Sequence, residues 1–236
     1  MASISRGRRY ILRYALGLTV GALIMSGCAS ISTFQTARTL KPSETQKGVG
    51  VTAGNPLISP SWGAGKSLVY PWPEFWLRKG LSENLDWGIK TWGVLLGGMV
   101  DLKYQFLSDE SPWQVASSLG LGVSYRLLEL SLEGESYTFF DLHVPLFISR
   151  DFGEYSTFYI SPKYIHKVVI GDNAPRANYS HQWNAFGAGL GISFHLSRKL
   201  SMMLEYNCMY EQGTVEGFTH NWGVGFVSKI KRRNNQ

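Results

Sequence analysis

Cysteine is nearly absent from this chain. Its 236 residues include two, Cys28 and Cys208. Two cysteines are too few for a disulfide framework, so another source of stability is needed. Long apolar runs are missing as well. The longest, residues 14–25 (YALGLTVGALIM), falls short of the roughly 20 residues that a membrane-crossing helix needs. Charge is sparse, at 17% of residues, and the formal excess of +6 is not spread over a face. Arg6, Arg8, Arg9 and Arg13 crowd the start, Lys229, Lys231, Arg232 and Arg233 crowd the end, and the middle is close to neutral. No basic stripe with interleaved aromatics is present, which excludes a nucleic-acid-binding face. The chain also lacks a Gly-Lys-Ser/Thr phosphate loop, a serine nucleophile elbow and histidines at zinc-ligand spacing, so neither cofactor nor metal is expected. A sustained helical period is missing too.

What is present begins with an export signal. The early arginines form a positive n-region, and residues 14–25 have the length of a signal h-region. Met25-Ser26-Gly27-Cys28 then resembles the lipobox of bacterial lipoproteins. The resemblance implies cleavage before Cys28 and acylation of that residue. Ala29 in the next position implies no retention at an inner membrane. On this reading residues 1–27 are a lipoprotein signal peptide, 28–44 a lipidated polar tether, 45–230 the domain and 231–236 a basic tail. The anchor would sit at the periplasmic side.

The domain consists of runs in which apolar and polar residues alternate. Over 199–211, Leu200, Met202, Leu204, Tyr206, Cys208 and Tyr210 share one face, opposite Ser201, Met203, Glu205, Asn207, Met209 and Glu211. An extended strand sorts residues this way, whereas a helix scatters them. The same period recurs and predicts ten strands: 45–54, 73–81, 84–93, 97–107, 113–125, 136–149, 155–169, 181–196, 199–211 and 218–230. The connections fall into short ones, near 82–83, 108–112, 150–154 and 196–198, and longer ones, 55–72, 126–135 and 170–180. The two sets alternate, as in a barrel with short turns at one rim and loops at the other. The connection near Gly93 is the exception.

A soluble β-sandwich alternates too, with its apolar face inside. Three features favour a membrane barrel, whose apolar face is outside. Several strands are longer than the usual five or six residues of soluble sheets. Aromatic residues lie near strand ends (Trp87, Trp92, Trp113, Tyr125, Tyr137, Tyr155, Tyr210 and Trp222), as interfacial girdles require. Glycines recur on the polar face, at positions such as 48, 50, 187, 189, 191, 223 and 225, where a tightly curved wall would call for them. Hydrocarbon supplies no hydrogen-bond partners, so such a sheet has to close. The expected fold class is therefore all-β, an up-and-down antiparallel transmembrane β-barrel of about ten strands.

The segment STFQTARTLKPSETQKGVGV, 32–51, resembles the opening of small outer-membrane β-barrel lipoproteins. LDWGIK, 85–90, and VDLKYQ, 100–105, resemble their third and fourth strands. Asn221 to Phe226 looks like the aromatic-ended signal read by the barrel-insertion machinery, here followed by residues 227–236. The resemblance implies a bacterial outer-membrane location, with membrane lipid, that machinery and lipoprotein sorting as partners.

The predicted lumen face carries Glu74, Arg78, Asp86, Lys90, Asp101, Lys103, Asp141, His143, Lys163, Lys167, Glu205 and Glu211. Both signs occur in similar number. They suit either a lattice of salt bridges filling a narrow interior or a polar conduit for small solutes. A lipid-modifying enzyme is the alternative, with His143 the weak catalytic candidate beside Ser161 and Glu205; these lie on the sixth, seventh and ninth strands, and partners in a triad need hydrogen-bond contact. A third class is a surface-binding barrel working through the 55–72 and 170–180 loops.

Overall fold

Alternation becomes architecture in the computed structural model, which describes residues 31–54, 70–93, 97–107, 111–127, 136–171, 182–212 and 216–231. The strands are β1 (Glu44–Gly54), β2 (Tyr70–Ser82), β3 (Leu85–Trp92), β4 (Gly97–Gln105) and β5 (Trp113–Leu127), then β6 (Ser136–Phe152), β7 (Ser156–Gly171), β8 (Gln182–His195), β9 (Leu200–Gln212) and β10 (Gly217–Lys231). Each pairs antiparallel with its sequence neighbour, and β1 pairs with β10, so the sheet is a closed ten-stranded barrel. Closure leaves no unpaired edge, which a sheet surrounded by hydrocarbon requires.

The wall has two chemically distinct faces. Val49, Val51, Phe75, Val100, Leu102, Leu119, Leu121, Val123, Phe186, Leu190, Val224 and Phe226 point outward and are exposed. The residues between them, among them Glu74, Asp101, Gly120, Gly189, Glu205 and Asn221, are buried inside. An apolar outside with a polar inside is the inverse of a soluble sandwich and matches a lipid-facing barrel.

At one rim β2, β4, β6 and β8 end and β3, β5, β7 and β9 begin, with short turns at 83–84, 153–155 and 196–199; β1 starts and β10 ends there, Glu44 opposite Lys231. At the other rim β1, β3, β5, β7 and β9 end and β2, β4, β6, β8 and β10 begin. We call these the turn end and the loop end. Residues 1–27, read from sequence as a signal peptide, Cys28, residues 55–69 and 172–181 of the expected loops, and residues 232–236 of the expected tail lie outside the described residues.

Two sequence expectations need correction. Trp92 does not belong to an interfacial girdle: it points inward and is buried, because it falls on the same face of β3 as Asp86 and Lys90. Trp87, Trp113, Tyr125, Tyr210 and Trp222 do lie on the outer face, and Tyr155 is exposed in a turn. The second correction concerns residues 31–43, read from sequence as a tether. They run inside the barrel, where Ile31, Ser32, Phe34, Ala37, Thr39 and Leu40 are all buried.

Candidate functional site: a charged lumen filled by the chain's own segment

The segment 31–41 descends the lumen and leaves at the turn end, where Glu44 N–H donates to Lys41 O at 2.8 Å and β1 begins. Its apolar residues, Ile31, Phe34, Ala37 and Leu40, recur every third position. Ile31 packs with Ile165, Ala185 and Met209; Phe34 with Trp76, Tyr159, Met203 and Val227; and Ala37 with Ala116 and Phe147. Phe34 stacks on Trp76, ring centroids 5.2 Å apart and planes 12° off parallel.

Polar contacts bind the segment to the wall along its length. Glu205 of β9 is the main one. Thr33 and Phe34 N–H groups donate to its two oxygens at 2.7 Å each, and Thr33 Oγ1 adds a bond of 2.9 Å. Phe34 has φ of 43°, unusual for a residue with a side chain. That left-handed turn sets two successive N–H groups on one carboxylate, the geometry of a backbone anion nest, and its cost of order 1–3 kcal/mol is offset by those bonds. Tyr159 Oη and Asn207 Nδ2 also donate to Glu205, at 2.9 and 2.8 Å.

The lumen lysines do the converse and donate to backbone carbonyls. Lys90 reaches Ser32 O at 2.6 Å, Lys163 reaches Ile31 O at 2.7 Å, and Lys103 reaches Arg38 O at 3.0 Å. Lower down, Thr39 N–H donates to Gln105, Leu40 N–H to Asp86, and Ala37 N–H to Ser149 Oγ. A chain without strand partners inside a barrel must find its hydrogen bonds in side chains, and here the wall supplies them.

Several of the lumen charges also pair with one another. Arg78 bridges Asp86 at 2.5 Å and Asp101 at 2.8 Å; Lys90 pairs with Glu74 at 2.8 Å, Lys103 with Asp86 at 3.5 Å, and Lys167 with Asp141 at 2.6 Å. All twelve lumen residues named from sequence, Glu74, Arg78, Asp86, Lys90, Asp101, Lys103, Asp141, His143, Lys163, Lys167, Glu205 and Glu211, are buried inside the wall. The hydroxyl, carboxylate and imidazole of the weighed triad are not brought together. Among the described residues Ser161 Oγ and His143 Nε2 have no hydrogen-bond partner, and Glu205 is taken up by the segment, Tyr159 and Asn207.

The inward glycines have a more specific task than wall curvature. A Cβ on Gly223 would lie 2.5 Å from the Phe34 ring, and one on Gly50 3.1 Å from it; on Gly225 it would lie 2.9 Å from Trp76. These positions make room for the Phe34–Trp76 stack. At Gly80 a Cβ would run into the carbonyl oxygens of Leu40 and Lys41, which are backbone and cannot rotate away. Gly80→Ala should therefore cost about 1–3 kcal/mol, the range for overpacking. Gly217→Ala, where a Cβ meets nothing within 4 Å, should be close to neutral; chemical unfolding in detergent micelles compares the two. Equal stability would show that residues 40–41 do not press on the wall.

Sequence reasoning missed Phe34, Trp76, Tyr159 and Asn207. The available signal was the three-residue apolar spacing of 31, 34, 37 and 40, which suits an extended chain touching walls on several sides. It was obscured because that segment lacks the two-residue period of a strand.

Among solved structures the chain is similar to Ail, the attachment invasion locus protein of Yersinia pestis. That match has 15% identity and a TM-score of 0.43, and covers 81% of this chain and 100% of that one. It is also similar to the outer membrane protease OmpT from Escherichia coli, at 8% identity and a TM-score of 0.44 over 83% and 100% of the two chains. Neisserial surface protein A is a third, at 10% identity and 0.41 over 79% and 96%. No curated protein sequence matches. The family described as membrane bound beta barrel domain (DUF5777) matches residues 77–230. With most of the chain matched and the barrel closed by ten antiparallel strands, this protein belongs to that family of membrane-bound β-barrels.

Proposed function

We propose that this protein is a bacterial outer-membrane barrel that is shut at rest by its own residues 31–41 and serves as a structural, surface-presenting element. The observation that carries the reading is the use of the lumen charges. Lys90, Lys103 and Lys163 donate to carbonyls of the segment, and Glu205 receives its amides. A solute path would have to break those bonds in a low-dielectric interior, where an unpaired charge is costly. The same charges of both signs would line a narrow polar conduit once the segment had moved, so passage of small solutes is a property of a displaced state.

Membrane lipid, through the exposed apolar band, and the barrel-insertion and lipoprotein-sorting machinery are the partners this reading calls for. Refolded into liposomes, the protein from Cys28 onward should give no swelling in small sugars or amino acids above empty liposomes. Swelling by a fully folded barrel would overturn the closed resting state.

A further inference from the structure

We propose that the lumen is a binding site for an extended peptide, and that residues 31–41 occupy it as a tethered competitor. The inference rests on the closed resting state and names the class of ligand that the same lumen takes.

The wall reads the segment mainly through its backbone. The amides of Thr33 and Phe34 donate to Glu205, that of Ala37 to Ser149, that of Thr39 to Gln105 and that of Leu40 to Asp86. The carbonyls of Ile31, Ser32, Thr36 and Arg38 accept from Lys163, Lys90 and Lys103. All seven of these wall residues are buried, so the bonds form where water competes poorly and an unmade one is costly. Backbone groups are common to every peptide. Such a track depends on an extended chain with N–H groups at the right positions, and little on covalent attachment to β1. Main-chain bonds for affinity with sockets for spaced side chains is also the division of labour in peptide recognition by strand addition.

The sockets supply the selectivity. Phe34 enters one between Trp76, Tyr159, Met203 and Val227. It lies over Gly50, Gly223 and Gly225, where a Cβ would come within 3.1, 2.5 and 3.2 Å of its ring. Ile31 and Ala37 fill two others. Gln35 Oε1, by contrast, has no hydrogen-bond partner among the described residues, so that position tolerates change. The ligand is therefore a peptide with apolar residues three apart, an aromatic ring among them, and no proline where an amide must donate. A linked segment acts at an effective concentration on the order of millimolar. A free peptide gains the site when the tethered copy is weakened.

The test refolds the protein from Cys28 onward into micelles together with a synthetic peptide of residues 31–41, ISTFQTARTLK, labelled on the exposed Lys41 side chain. Gel filtration removes free peptide, and heat-modifiable migration on gels confirms the folded barrel. Phe34→Ala in the protein removes the side chain that fills the socket from the tethered copy. This barrel should retain about tenfold more peptide than wild type. Phe34→Leu keeps an apolar side chain there and serves as the second variant, with intermediate retention. In the peptide, Gln35→Ala should change nothing, whereas Phe34→Ala or N-methylation of the Phe34 amide should each cut retention about tenfold. Folded Phe34→Ala and Phe34→Leu barrels that hold no more peptide than wild type, all at the level of the N-methylated peptide, would overturn the peptide site. Undiminished retention of the N-methylated peptide overturns recognition through the backbone. High retention by wild type that N-methylation abolishes supports the peptide site and overturns the tethered competitor, and with it the closed resting state.

Discussion

Glu205→Ala should lower the unfolding free energy of the barrel by about 3–5 kcal/mol, the range for removing one member of a buried charged network. The side chain is 2% exposed and accepts from Thr33 N, Phe34 N, Thr33 Oγ1, Tyr159 Oη and Asn207 Nδ2. Its loss strands donors that water reaches poorly, and each buried donor left unmade costs about 1–3 kcal/mol. Glu205→Gln keeps the shape and one carbonyl acceptor, but its amide nitrogen meets a backbone donor in place of an oxygen, so it should fall between wild type and Ala. Trp76, stacked on Phe34, reports the local event. Its fluorescence should change in Glu205→Ala under conditions where the strands remain intact. A Glu205→Ala barrel within about 1 kcal/mol of wild type, with unchanged Trp76 emission, would show that the carboxylate does not hold the segment.

Arg78→Met should be comparably damaging, again about 3–5 kcal/mol, for the opposite charge. Arg78 is 2% exposed and joins β2 to β3 and β4 through Asp86 and Asp101, with two bonds to each. Removing it leaves two buried carboxylates whose nearest remaining cation among the described residues is Lys103, 3.5 Å from Asp86. Adding Asp101→Asn to Arg78→Met should recover part of the loss, because one uncompensated charge disappears with its partner already gone. Chemical unfolding of the two single variants and the double variant in micelles gives the coupling directly. Strictly additive losses would mean that the pair is not an energetic unit. Leu40 N–H also bonds Asp86, so the Arg78 variant should loosen the exit of the segment as well as the wall.

The wall could be read from sequence almost residue by residue. Leu200, Met202 and Leu204 face out and Met203, Glu205 and Asn207 face in, as the alternation of 199–211 requires. Each of the ten predicted strands overlaps its counterpart, and their ends differ by three residues or fewer. Such agreement has a local cause. The two-residue period of a strand and the apolar demand of hydrocarbon act on each strand separately, so every strand carries its own orientation. The inward charges were legible for the same reason: a charged residue between two lipid-facing positions has only the lumen to enter.

What those charges hold could not be read in this way. Glu205 and Thr33 lie 172 residues apart in sequence, and whether Lys163 meets a carboxylate, water or the carbonyl of Ile31 depends on the register around the closed ring and on what fills its centre. Trp92 shows the same limit: its place near a strand end suggested an interface, but the parity of β3 turned it inward. Residues 31–43 are aperiodic by the measure of a strand, since their partners are side chains of nine strands, β2 to β10, distant in sequence. The strands, their faces and their closure therefore follow from local alternation under the constraint of lipid. The occupant of the lumen and its direction of travel follow from long-range packing, which exists only once the barrel has closed around it.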